Sequence, residues 1–126
     1  MMKEIIRTDK APAPGGAYSQ AIRIGNLMYT AGMGPMDPKT QEIVGTTVEE
    51  QTRQTLTNLK AVIEEAGLTM ANVVKSTVYL EELDRDFAGF NKVYSEFFPE
   101  NKPVRTTVGA HLKNILVEID LVAVTE

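Results

Sequence analysis

The sequence predicts an α+β domain in which two helices cover one face of a single sheet. Runs rich in β-branched residues recur along the chain, as is typical of strands. Two longer segments instead carry apolar residues at helical spacing, and glycine and proline signals separate the segments. The predicted order is β-β-β-α-β-α-β-β, and the length of 126 residues suits one domain spanning residues 1–126.

The first third of the chain predicts three short strands. Between the first two lies a segment, residues 11–16, with two prolines and two glycines, a composition that excludes regular structure. Gly25 and Asn26 form the turn between the second and third strands. The three strands are expected at residues 3–7, 19–24 and 27–31.

The first helix has clear signals at both ends. Thr47 and Glu50 have the spacing of a capping box, in which each side chain accepts a backbone N–H of the other's residue. Apolar residues follow at helical spacing, and Gly67 is a typical helix stop. A helix is therefore predicted from about residue 48 to residue 66.

The second helix is expected to be capped by Asp84 or Asp86 and closed by Pro99. It carries a row of aromatic side chains, which we interpret as core rather than as a surface for stacking bases. The row consists of Phe87, Phe90, Tyr94, Phe97 and Phe98. The remaining strands are predicted at residues 73–80, 103–108 and 115–124.

The last strand indicates how the sheet is covered. Val117, Ile119, Leu121 and Ala123 point to one face, which suits packing against the helices. Glu118, Asp120, Val122 and Val124 point to the other face. Because two helices can cover only one face, a partly apolar face stays bare in the single chain. We therefore expect self-association, with a site where subunits meet.

Two charged residues interrupt the apolar strands near the C-terminus. Arg105 lies within a β-branched run, and Glu118 lies in the strand predicted to neighbour it. Burying either charge is costly unless it is paired or used. The two side chains therefore either form a structural ion pair or share a ligand site. In a site, the guanidinium would bind a carboxylate and Glu118 would act as a general base.

Composition excludes several function classes. With no cysteine and one histidine, a disulfide framework, a thiolate nucleophile and a multi-histidine metal site within one subunit are excluded. The net charge of −4 and the scattered basic residues do not favour nucleic acid as a partner. No apolar run approaches the roughly 20 residues of a membrane span, and the N-terminus does not resemble a signal peptide. A cytoplasmic protein without a membrane partner is expected.

Taken together, the motifs resemble those of the RidA/YjgF family of enamine and imine deaminases. The resemblance runs nearly end to end and depends on the order of the motifs more than on any single one. It is carried by Gly16-Ala17-Tyr18-Ser19-Gln20-Ala21, Tyr29-Thr30-Ala31-Gly32, Glu50-Gln51-Thr52-Arg53-Gln54, Val73-Val74-Lys75-Ser76-Thr77-Val78, Phe90-Asn91-Lys92-Val93-Tyr94, Pro103-Val104-Arg105-Thr106-Thr107-Val108 and Val117-Glu118-Ile119.

The resemblance implies a chorismate-mutase-like fold, with a mixed six-stranded sheet and two helices on one face. It also implies a homotrimer with clefts between subunits. The implied reaction is hydrolysis of 2-aminoacrylate-type enamines and their 2-imino acid tautomers, such as 2-iminobutanoate and 2-iminopropanoate. The products are 2-keto acids and ammonia, and no metal or organic cofactor is implied. An alternative is a non-catalytic regulator or translation inhibitor that binds a small carboxylate.

The resemblance also assigns residues to roles. Arg105 would bind the substrate carboxylate and Glu118 would position or activate water. The other positions implied to line the cleft are Tyr18, Ala31, Gly32, Asn91 and Thr107. Three positions depart from the usual pattern: Ala31 replaces a common serine, Met33 replaces a common glutamine, and Thr107 replaces a cysteine found in some members.

Overall fold

The N-terminal strands form an antiparallel meander at one edge of the sheet. The computed structural model describes residues 2–125. The three predicted strands are present but shorter than predicted, and strands β1 (Lys3–Ile6), β2 (Ala21–Ile24) and β3 (Leu27–Thr30) pair in sequence order. Gly25 has a φ of 61° in the turn between β2 and β3, a conformation that glycine adopts without strain.

The C-terminal strands complete a mixed sheet in an order that differs from the chain order. Strands β4 (Val73–Leu80), β5 (Val104–Gly109) and β6 (Val117–Val124) follow the meander. β6 inserts antiparallel between β3 and β4, and β5 pairs parallel with β4 at the far edge. The sheet order is therefore β1-β2-β3-β6-β4-β5, which confirms the predicted six-stranded mixed sheet.

Helix α1 (Val48–Glu65) begins as the sequence predicts. The Thr47 hydroxyl accepts the Glu50 N–H at 3.2 Å, and the Glu50 carboxylate accepts the Thr47 N–H at 3.2 Å. Backbone donors at Thr46 and Thr47 lower the pKa of Glu50, since they favour its ionised form. Gly67 follows the helix with a φ of 81°.

Helix α2 (Leu83–Phe97) begins earlier than predicted. Its N-cap is Glu82, whose side chain makes no capping hydrogen bond, so the prediction of Asp84 or Asp86 as cap is wrong. Both aspartates instead lie in the first turn, where the helix dipole favours negative charge. In the described part of the chain, neither helix is long and apolar enough to cross a bilayer.

The aromatic row of α2 is only partly core. Phe90, Tyr94 and Phe98 are buried against α1 and the sheet, as predicted. Phe87, however, is 42% exposed, so its interpretation as a core residue is wrong. It lies in the first two turns of α2, beside the edge strand β5, where no further element covers it.

The core lies between the helices and one face of the sheet. Val117, Ile119, Leu121 and Ala123 are at most 1% exposed, which confirms the alternation predicted for β6. Glu118, Asp120, Val122 and Val124 lie on the opposite, open face and are half-buried. That face also presents apolar side chains that are well exposed in the single chain: Ile5, Tyr29, Val104 and Val108.

Candidate functional site

A cavity of about 490 Å³ opens beside the ends of β3 and β6. It brings together four of the residues predicted for the site: Tyr18, Ala31, Gly32 and Glu118. Its other walls come from the loop before β2, from the loop after β3, and from Ile115, which precedes β6 although the sequence predicts it as the first residue of that strand. The lining residues of the two loops are Pro12, Ala13, Pro14 and Gly15 in the first and Met33, Gly34, Met36 and Gln41 in the second, with Gln20 just before β2.

Gln20 fixes the first of these loops and was missed as a positioning residue. Its buried side-chain amide accepts the Thr8 N–H at 2.7 Å and donates to the carbonyls of Thr8 at 3.0 Å and Pro12 at 2.9 Å. A glutamine that is 3% exposed must satisfy its amide internally, so the loop is tied down. The sequence signal for this role is an amide near the start of the strand predicted at residues 19–24, directly after a loop rich in proline and glycine.

Tyr18 lies at the rim of the cavity. Tyr18 is 52% exposed, so it is not a packed core residue. The Gly15 N–H donates to its hydroxyl at 2.9 Å, and its own N–H donates to the Gly16 carbonyl at 2.9 Å. The turn therefore holds the phenol at the mouth, with the hydroxyl proton available to a ligand.

The segment after β3 carries Gly32 directly against Glu118. Met33 pairs with Ile119 of β6 through two backbone hydrogen bonds, Met33 N–H to Ile119 carbonyl at 2.8 Å and the reverse at 3.1 Å. A Cβ placed on Gly32 would meet the Glu118 Oε2 and lie 3.0 Å from its Cδ. Glycine at this position therefore leaves the room that the Glu118 carboxylate occupies.

Buried amides on α1 hold the loop after β3 and the segment before β6 in place. Asn58 Nδ2 donates to the carbonyls of Gly34 at 3.1 Å and Met36 at 2.8 Å. Gln51 Oε1 accepts the Leu116 N–H at 2.8 Å. Both side chains are at most 4% exposed, so these hydrogen bonds lie in a region shielded from water. Helix α1 thus positions the cavity wall opposite Gln20.

Glu118 is a half-buried carboxylate without a partner. Within residues 2–125 it forms no hydrogen bond or ion pair. Burial raises the pKa of Glu118, and the negative charge of Asp120 on the same face raises it further. Among residues 2–125, no arginine counters this shift in the pKa of Glu118.

Arg105 lies on the edge strand β5 and stacks on aromatic side chains of α2. Its guanidinium carbon is 4.8 Å from the ring centre of Tyr94, 5.2 Å from that of Phe90 and 5.8 Å from that of Phe87. Stacking of this kind stabilises the cation and orients its plane. Among the described residues, Arg105 forms no hydrogen bond or ion pair, so its donor fork stays available.

Two more predicted site residues accompany Arg105. Arg105 borders a depression of about 410 Å³, and Asn91 and Lys102 also line it. The Lys102 ammonium donates to the Phe98 carbonyl at 2.6 Å and is thereby directed toward the end of α2. Thr107 lies two residues after Arg105 on β5 and points to the same side of the sheet.

Arg105 and Glu118 do not meet within one chain. In the register of β4, Arg105 is opposite Ser76 and Glu118 is opposite Tyr79. Strand β4 therefore separates their strands, and the prediction that the strands are neighbours is wrong. Arg105 contacts α2 on the helical face, whereas Glu118 lies on the open face. The structural ion pair that the sequence left open is absent from the described chain.

The described residues 2–125 contain no group of three histidine, cysteine, aspartate or glutamate side chains arranged to hold a metal ion. The side chains of the two half-sites differ in charge and in surroundings. The first half-site presents the Arg105 guanidinium, which stacks on aromatic rings. The second presents the Glu118 carboxylate, whose pKa is raised, in a cavity.

Comparison with known proteins places the chain in a family. The family model described as "Endoribonuclease L-PSP" matches residues 8–125. The chain belongs to the endoribonuclease L-PSP family. This finding confirms the RidA/YjgF resemblance and, with the observed sheet, the chorismate-mutase-like fold.

Individual L-PSP relatives match over nearly their whole length. A RutC family protein of Pyrococcus abyssi is 49% identical and is covered completely, as is this chain. A protein of Dermatophagoides farinae named 2-iminobutanoate/2-iminopropanoate deaminase is 42% identical, with 98% of both chains covered. The crystal structure of E. coli TdcF with bound serine superposes with a TM-score of 0.92 at 37% identity, covering 98% of this chain and 99% of TdcF.

Proposed function

We propose that this L-PSP family protein hydrolyses reactive 2-imino acids and their enamine tautomers to 2-keto acids and ammonia. The observation that carries the proposal is the pair of unpartnered charges. Arg105 offers a rigid, unused guanidinium fork, and Glu118 offers an unused carboxylate in a cavity. Unpaired charges in shielded positions are costly to keep, and functional sites are where proteins keep them.

The reaction needs only these two groups and water. Arg105 binds the carboxylate of the substrate in a bidentate manner and holds the adjacent C=N group in place. Glu118 accepts a proton from water as the oxygen bonds to the imine carbon. Glu118 passes this proton to the imine nitrogen as the C=N bond becomes single, which gives a carbinolamine. The hydroxyl of the carbinolamine then gives its proton, through Glu118, to the amino nitrogen. The C–N bond breaks as the carbonyl forms, and ammonia leaves with the keto acid. The raised pKa of Glu118 makes it a better proton acceptor than an exposed glutamate.

The site requires two subunits. Because Arg105 and Glu118 lie on opposite faces of one sheet, a cleft containing both must combine the Glu118 cavity of one chain with the Arg105 edge of another. The open face, with exposed Ile5 and Val104, supplies apolar surface for such an association. A cyclic homotrimer, as the family resemblance implies, would form three equivalent clefts.

Two relatives support this proposal. The Dermatophagoides farinae protein carries the name of a deaminase for 2-iminobutanoate and 2-iminopropanoate. The TdcF structure contains serine, a small ligand with a carboxylate. A fold that binds such a ligand in a relative fits a carboxylate-binding role for Arg105 here.

The proposal is tested by coupling this protein to a dehydratase that releases enamines from serine or threonine. We expect ammonia and keto acid to appear faster when the protein is present, in proportion to its concentration. An unchanged rate together with binding of a 2-keto acid would reject the deaminase. That outcome would instead assign the cleft to a non-catalytic carboxylate sensor, the alternative that the sequence leaves open.

Assembly is tested by sedimentation equilibrium and by mixing inactive subunits. We expect about three times the chain mass at micromolar concentration. In a cyclic trimer built from Arg105→Ala and Glu118→Gln chains, each mixed trimer contains one intact cleft. Equal mixing by unfolding and refolding should therefore restore about a quarter of the clefts. A monomer, or a mixture that stays inactive while wild-type chains refold to full activity, contradicts the shared site.

A further inference from the structure

Strand β4 carries a buried hydroxyl that the proposed reaction does not use. Ser76 is fully buried in a row of core-facing side chains that continues with Val78 and Leu80. Burying a hydroxyl is costly unless it forms a hydrogen bond. The Ser76 hydroxyl forms that bond with the phenol of Tyr94 on α2, and the two oxygens are 2.6 Å apart. This hydrogen bond therefore links the sheet to the second helix through two side chains.

The same tyrosine ring lies beneath Arg105. Strands β4 and β5 are parallel, and Ser76 is the register partner of Arg105, so both side chains project to the helical face. Of the three rings below the guanidinium, that of Tyr94 is the nearest, with 4.8 Å between the guanidinium carbon and the ring centre. Tyr94 thus contacts Ser76 through its hydroxyl and Arg105 through its ring face.

Neighbouring rings hold the rest of the Tyr94 side chain. Its ring centre is 5.3 Å from that of Phe90 and 4.7 Å from that of Phe98, at separations favourable for aromatic pairs. These contacts fix the plane of the ring, and the hydrogen bond to Ser76 fixes its tip. Burial raises the pKa of Tyr94, so the phenol keeps its proton near neutral pH. The ring is therefore a fixed surface on which a guanidinium can rest.

Arg105 depends on that surface because little else holds its guanidinium. Among residues 2–125, the side chain of Arg105 forms no hydrogen bond or ion pair. An arginine side chain has many rotamers, and binding both oxygens of a carboxylate requires one orientation of its planar fork. Orientation matters to rate, since a displacement of about 1 Å in an active site can cost on the order of 100-fold.

We propose that Ser76 and Tyr94 are positioning residues for Arg105, and that their hydrogen bond sets the plane of the guanidinium that binds the substrate carboxylate. Ser76 is fully buried, so it acts only through the other two side chains. This inference rests on the proposed deaminase function and adds two residues on which that function depends. The orientation of Arg105 is nevertheless a property of the chain that can be measured without any substrate.

The first test observes the guanidinium directly in the proton–nitrogen NMR spectrum of isotope-labelled protein. The rings beneath Arg105 shift the signal of its Nε–H, which is assigned by its loss in Arg105→Lys. Ser76→Ala and Tyr94→Phe each remove the hydrogen bond but keep the ring, so both should move this signal toward that of a solvent-exposed arginine. Ser76→Thr keeps the hydroxyl and should restore the natural position. A signal that stays in place in both Ser76→Ala and Tyr94→Phe overturns the proposal.

The second test measures hydrolysis of 2-iminobutanoate released by a threonine dehydratase. Ser76→Ala and Tyr94→Phe should each lower kcat/KM by about 10-fold or more, and Ser76→Thr should stay close to the natural chain. Most of the loss should lie in KM, because Arg105 holds the carboxylate before as well as during the reaction. The double variant should be no worse than the weaker single variant, because both substitutions remove the same bond.

Thr52→Val provides the matched control. It removes another fully buried hydroxyl, on α1, which has no hydrogen-bond partner among residues 2–125, and it should leave both readouts unchanged. Natural kinetics in both Ser76→Ala and Tyr94→Phe overturn the positioning role and leave the deaminase intact. If the natural chain hydrolyses no imine, the deaminase is overturned, and the Arg105 signal still decides whether Ser76 and Tyr94 orient the guanidinium.

Discussion

Replacing Arg105 by alanine should lower kcat/KM for 2-imino acids. The expected loss of transition-state stabilisation is about 2–5 kcal/mol, the cost of removing one partner of a shielded ion pair. Arg105→Lys should not restore activity. A lysine keeps the charge over the Tyr94 ring but loses the planar fork that binds both carboxylate oxygens. The measurement is steady-state hydrolysis at saturating and limiting imine.

Arg53→Ala provides the matched control for this loss. Arg53 lies away from both half-sites and forms an exposed ion pair with Glu96 at 2.8 Å on the surface of the helices. Exposed pairs contribute little, so this variant should keep the natural rate. If Arg105→Ala retained near-natural kcat/KM as an assembled protein, the carboxylate-binding role of Arg105 would be refuted.

Replacing Glu118 by glutamine should lower turnover by roughly 10²–10⁴-fold, because the amide keeps the shape of the side chain but cannot accept the proton from water. Binding of a stable 2-keto acid should survive, since Arg105 is intact. Normal turnover in the Glu118→Gln variant would reject Glu118 as the general base. Lost keto-acid binding would make Glu118 a structural part of the cleft instead.

The pH profile separates a base from a purely structural carboxylate. Burial and the charge of Asp120 raise the pKa of Glu118, so the ionised base is lost as pH falls through this raised value. The acid limb of kcat/KM should report this carboxyl, at a pH set by these two effects against the opposing charge of the partner's Arg105 in the assembled cleft. Asp120→Asn removes the like charge and should move that limb to lower pH. An acid limb that persists unchanged in Glu118→Gln would assign it to another group.

Local signals in the sequence determined much of the secondary structure. Helix α1 begins at its capping box because Thr47 and Glu50 satisfy backbone donors only a few residues away. The faces of β6 follow from the two-residue period of a strand, so Val117 and Glu118 lie on opposite sides of the sheet whichever strands pair with β6. The motif order likewise identified the family that the comparison confirmed.

The tertiary structure alone decided where the charges lie relative to one another. Strand order depends on hydrogen bonds between distant segments, and the insertion of β6 between β3 and β4 separates Glu118 from the edge strand that carries Arg105. Phe87 has the same periodicity as Phe90 but lies over that edge, where no element covers it and it contacts the Arg105 guanidinium. Periodicity reports which residues share a face of one element, whereas the neighbours of that face are set by packing among all the elements.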